Sequence, residues 1–103
     1  MPQVIVHQPR VAWEGARAFV RAAGGPGYAA FAERVASRLG PELYGELANT
    51  RQRLSAAQLA TGGDRFMSDV ESGKWRVRFE DMLRTRPDLT ATVQELTAQA
   101  PPV

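Results

Sequence analysis

The chain contains no cysteine and a single histidine, His7. The first absence excludes disulfides, thiolate nucleophiles and zinc–sulfur sites. The second leaves no ligand set for a His/Cys metal centre and no setting for a His-based triad, so His7 reads as incidental. No apolar run approaches the ~18 residues of a membrane span, and the N-terminus lacks the basic-then-apolar order of a signal peptide, so the expectation is a cytoplasmic protein with no membrane partner. Charge of either sign is also sparse in net terms. Lysine plus arginine number 13 against 11 acids, a balance of +2. A nucleic-acid footprint must therefore come from clustering, not from total charge.

What is present favours helix. Alanine and leucine carry the apolar content, and both lose little conformational freedom in a helix, whereas β-branched residues lose χ1 freedom there. A length of 103 residues suits one domain with one core. At 100° per residue, Ala12, Trp13, Ala16, Phe19, Val20 and Ala23 fall within one arc, with Glu14, Arg17 and Arg21 opposite, which predicts an amphipathic first helix from Val11 to Ala23. Gly24-Gly25-Pro26-Gly27 stops it. Tyr28, Phe31, Ala32, Val35, Ala36 and Leu39 share a face of a second helix, expected to lie antiparallel beside the first. Gly40 ends that helix, and Pro41 suits the first turn of a third, where its missing N–H costs nothing.

The third helix carries a narrow stripe of Leu43, Leu47, Thr50, Leu54 and Ala57, with Tyr44 and Leu59 off it and directed to contacts on a second side. Gly62-Gly63 breaks the chain, and Asp64 suits the N-cap of a fourth helix. In that helix Trp75, Phe79, Met82 and Leu83 form one stripe, while Phe66, Val70 and Val77 project to nearly the opposite side. Either Gly73 divides two short helices, or one continuous helix has two apolar faces. The continuous helix is favoured, because a single mid-helix glycine costs only about 1 kcal/mol relative to alanine. Thr85 and Asp88 around Pro87 resemble a capping box for a last helix striped by Leu89, Val93 and Leu96. The expected architecture is all-α: a bundle of about five short helices spanning residues 11–99, with an extended arm or tail over 1–10 and a tail over 100–103. Val4-Ile5-Val6 is a lone strand-like run with no second run to pair with, so it is an arm, a tail or a strand for another chain.

No catalytic or cofactor motif occurs. Glu80-Asp81 and Asp69-Glu71 lack calcium-loop spacing, and neighbouring helical residues point to different faces, so they read as solvated helix surface. Gly73-Lys74 is followed by Trp75 where a phosphate loop needs Ser or Thr, and Gly24 to Gly27 is punctuation between helices. Lys74, Arg76, Arg78, Arg84 and Arg86 cluster in sequence, yet Arg76 and Arg78 point about 200° apart on a helix and acids are interspersed. They do not form the stripe of a DNA-recognition helix.

Trp75, Arg76, Arg78, Phe79, Leu83, Arg84, Pro87, Leu89, Val93 and Leu96 resemble a helical segment, W-x-x-R-L-x-x-L-L-x-x-x-P-x-L-x-x-x-L-x-x-L, of small helical adaptor modules in uncharacterised actinobacterial proteins. The chain departs from that pattern at Phe79 and Met82. The resemblance implies protein–protein recruitment and transfers no catalytic residue. The expectation is thus a non-enzymatic interaction or assembly module, without cofactor or metal. Its partner is another protein or a second copy, bound through Phe66, Val70 and Val77 with Arg76 and Arg78 at the edges. The alternative is a small nucleic-acid-binding regulator using the arginines of the fourth helix.

Overall fold

The computed structural model describes residues 8–61 and 66–101. Five helices follow one another: α1 Gln8–Ala23, α2 Tyr28–Leu39, α3 Pro41–Thr61, α4 Phe66–Thr85 and α5 Thr90–Gln99, the last preceded by a 3-10 turn at Pro87–Leu89. No strand occurs among the described residues. Val4 to Val6, Gly62-Gly63 and the Asp64 cap lie outside them.

The first helix is central because its sequence is rich in small residues. Val11, Ala12, Gly15, Ala16, Ala18, Phe19, Val20, Ala22 and Ala23 are all buried, so α1 is covered on most of its circumference. Small side chains let other helices approach closely. At Gly15 a Cβ would stand 3.0 Å from Val93 of α5 and 3.3 Å from the Phe79 ring of α4. Phe19 is the large exception, and it fills the middle of the bundle. Its ring meets Phe31, Trp75 and Phe79 at centroid separations of 5.0, 5.3 and 4.9 Å, two of the three edge-on, the geometry that aromatic quadrupoles favour.

Helix α1 packs most extensively on α4 and then on α5, and only lightly on α2, contrary to the expectation that the first two helices are close neighbours. The pair α1 and α4 is antiparallel: Gln8 Nε2 donates to the Leu83 carbonyl at 3.4 Å at one end, and Phe19 meets Trp75 further along. Helix α1 also starts at Gln8 instead of Val11, within the stretch expected to be an arm. Pro9 permits this, since the first helical turn needs no intrahelical N–H bond.

Two further differences have local causes. Trp13, expected on the core face, is 41 % exposed. The buried arc of α1 extends toward Val11, Gly15, Ala18 and Ala22, which leaves Trp13 on the opposite edge. The Thr85/Asp88 capping box does not form. Thr85 Oγ1 bonds the Asp81 and Met82 carbonyls, Asp88 pairs with Arg86, and Thr90 Oγ1 donates to the Pro87 carbonyl at 2.7 Å, so the 3-10 turn opens α5.

Helices α2 and α3 are joined through Gly40 alone, whose φ of 102° lies in the region glycine tolerates best. Beyond it, α3 and α4 form a long antiparallel hairpin. Its inner turns bury Leu43, Leu47, Thr50, Trp75, Phe79 and Leu83, whereas Ser55–Ala60 and Phe66–Val70 carry no buried residue. Tyr44 and Leu59 do not meet a second side: they are 42 % and 90 % exposed. The molecule measures 52 × 24 × 23 Å, the shape of a bundle whose longest hairpin overhangs its core. Helix α4 runs unbroken through Gly73.

A Cβ at Gly45 or at Gly73 meets nothing within 4 Å. Gly45→Ala and Gly73→Ala should each raise the unfolding free energy by about 0.5–1 kcal/mol in denaturant melts, because alanine restricts the unfolded chain. Gly15→Leu should lower it by about 1–3 kcal/mol, since Val93 and Phe79 must move to admit it.

Candidate functional site

Tyr44, Leu59, Phe66 and Val77, four of the five exposed large apolar side chains among the described residues, lie on the α3–α4 hairpin, whose inner end is fixed by two polar contacts. The indole Nε1 of Trp75 donates to Thr50 Oγ1 at 2.8 Å, and that hydroxyl donates to the Glu46 carbonyl at 3.0 Å. Trp75 is completely buried, so its one polar atom needs this partner. The guanidinium of Arg78 lies 4.7 Å from the centre of the Trp75 ring and pairs with Glu46 at 2.9 Å.

One turn further out, Glu71 has no exposed surface. Arg53 reaches its carboxylate with two bonds, of 2.9 and 2.8 Å, and Lys74 adds a third at 3.2 Å. This corrects the reading of Asp69-Glu71 as solvated surface: Asp69 is exposed, and Glu71 faces the neighbouring helix. Burial by itself would push the Glu71 pKa up. The hydrogen bonds from Arg53 and Lys74, together with their charges, outweigh it and hold the carboxyl below its ordinary value. No buried side-chain nitrogen or oxygen among the described residues lacks a partner. Glu80 and Asp81 pair with Arg76 and Arg84, and no group of acids or histidine among the described residues could hold a metal ion.

The stripe of α4 named from the sequence lies outside the core. Phe66 is 69 % exposed and Val77 49 %, with Val70 half-buried between them. Arg76 is exposed, 3.9 Å from Glu80, with its guanidinium 5.9 Å from the Trp13 ring, which Arg17 also approaches at 5.5 Å. Arg78 is part-buried over Trp75 and engaged by Glu46. The two arginines therefore flank different parts of the helix and do not act as one charged edge. No helix is long and apolar enough among the described residues to cross a membrane.

On another side of α4, the overhanging turns of the hairpin and the end of α1 enclose an open groove of about 1020 Å³. Val20, Leu54, Leu59 and Met67 supply its apolar lining, and Arg17, Arg21 and Arg51 its cations. Sequence reasoning missed this feature because it joins α1 to α4, a pairing of residues far apart in the chain. The one available signal was the i, i+4 placement of Arg17 and Arg21 on the polar side of α1.

The Glu71 network contributes stability above the ordinary carboxylate range and loses it as pH falls through the lowered pKa. Acid melts of the native chain should therefore show a stability loss below about pH 4 that is reduced in Glu71→Gln. At neutral pH, Glu71→Ala should cost about 1–3 kcal/mol, less than for a fully desolvated pair because Arg53 and Lys74 keep 40 % and 52 % of their side-chain surface in water.

Comparison with known protein families, with curated sequences and with solved structures finds no match.

Proposed function

We propose that this chain is a non-enzymatic protein–protein interaction or assembly module, an adaptor-like helical domain whose working surface is the outer part of the α3–α4 hairpin. The observation that carries this reading is the exposure of large apolar side chains on that hairpin, Leu59 at 90 % and Phe66 at 69 % on its outer turns and Val77 at 49 % further in, while the buried polar side chains of the described residues are paired. Surface of this kind favours covering by a partner, and helical turns with no fully buried residue gain most from it. The stripe of Phe66, Val70 and Val77, bordered by Arg76 and Arg78, is the face on which such a partner rests.

The nucleic-acid alternative has less support. Arg76 and Arg78 are turned to Glu80 and Glu46, and Arg84 and Arg86 to Asp81 and Asp88, so a phosphate must compete with a carboxylate already in place for each.

Phe66→Glu and Val77→Glu should leave helical circular dichroism unchanged and the unfolding free energy within about 0.5 kcal/mol, since both positions are on the surface. The same variants should lower the light-scattering mass or abolish co-purification of a partner; native assembly behaviour in both variants contradicts the proposal. Binding to duplex or single-stranded nucleic acid at physiological salt should be weak, and sub-micromolar binding with a steep salt slope reverses the order of the two readings.

A further inference from the structure

We infer that the groove between α1, α3 and α4 is a docking site for an acidic amphipathic segment of a partner protein, bound as a helix along α1. This rests on the reading of the chain as an interaction module and names what one of its partners must look like.

The inference comes from the pairing of charges. Arg10, Arg38, Arg53, Arg76, Arg78, Arg84 and Arg86 each pair with a carboxylate of this chain, as does Lys74. Among the described residues, the arginines with no carboxylate within ion-pair distance are Arg17, Arg21, Arg34 and Arg51, and three of these four line this groove. Arg51 is partly occupied in holding the end of α1, donating to the Ala23 and Gly25 carbonyls at 2.9 and 3.2 Å. Arg17 lies 5.5 Å from the Trp13 ring centre, and neither it nor Arg21 is committed to an ion pair among the described residues. Against the three cations the groove sets one acid, Asp69.

Geometry narrows the ligand. Arg17 and Arg21 lie one helical turn apart, so their charges repeat at about 6 Å along the axis of α1, the spacing of glutamates at i and i+4 of another helix. The apolar lining beneath them suits the adjoining aliphatic face of such a helix. With a volume of about 1020 Å³, the groove lies at the top of the ~300–1,000 Å³ typical of small-molecule sites, and it is open, as a polypeptide needs. A second copy of this chain is poorly suited. Besides Asp69, the described carboxylates without a cation partner are Glu33 and Glu42, which belong to different helices and cannot present an i, i+4 pair.

The test uses the full chain and a fluorescein-labelled helical peptide with leucines on one face and glutamates at i, i+4 beside them, with glutamine and lysine versions as controls. Anisotropy titrations should show the glutamate peptide binding, and Arg17→Glu with Arg21→Glu should weaken it by about tenfold or more while the lysine peptide gains affinity for that variant. Arg17→Gln with Arg21→Gln, a milder change, should give a smaller loss in the same direction. Intrinsic emission should shift on binding and not do so in Trp13→Phe, because Trp13 lies beside Arg17 and the other tryptophan is buried. Equal binding of the glutamate and glutamine peptides, no binding of either, or binding insensitive to both double changes overturns the inference. If binding is insensitive to the arginines but lost in Phe66→Glu, the groove assignment falls and the interaction-module reading stands. Tight binding of single-stranded or duplex DNA, abolished by the arginine changes, overturns both.

Discussion

The indole nitrogen of Trp75 is the constraint around which the bundle is arranged. A completely buried Trp must find an acceptor for its N–H, and Thr50 is the acceptor supplied. That single bond fixes the axial register of α4 on α3, because a shift of one turn leaves the buried indole N–H without an acceptor. Once the ring is placed, Phe19 of α1 and Phe79 of α4 close around it, and Phe31 of α2 packs edge-on against Phe19 behind them. Arg78 then covers it from outside and is itself anchored by Glu46, one turn from Thr50 on the same helix.

The same register aligns Glu71 with Arg53, so the ion network is a consequence of the aromatic packing more than a rival to it. The two differ in what they contribute. Burial of apolar side chains, the four rings among them, provides the driving force. The carboxylate contributes little net stability but makes alternative alignments of the hairpin costly, since any slip strands a charge inside the protein. Beyond this point neither device operates, and residues 55–60 and 66–70 include none that is fully buried. The sequence thus holds the inner half of the hairpin tightly and leaves the outer half available.

Helices, breaks and most of the core were legible because each rests on local periodicity: Leu43, Leu47 and Thr50, or Val93 and Leu96, recur at helical spacing and are buried accordingly. Gly40 and Pro41 likewise mark a boundary by their own backbone chemistry. What was not legible depends on pairing between distant segments. Trp13 sits in an apolar arc that looks core-facing, but the arc is wider than the contact, and the small residues of α1 attract α4 and α5 to the other side. Glu71 is surrounded in sequence by polar residues, and nothing local indicates that Arg53 lies opposite. The groove depends on the α1–α4 pairing in the same way. The stripe of Phe66, Val70 and Val77 was readable as a second face, since it follows from one helix alone.

At the turn that follows α1, Pro101 rests against Gly27 so closely that a Cβ there would come within 2.7 Å of it. The segment after α5 therefore returns to the turn between α1 and α2, and chain positions 27 and 101 are tied at one point. Fraying of the C-terminal end would therefore uncover the turn between α1 and α2, next to the end of α1 that Arg51 holds.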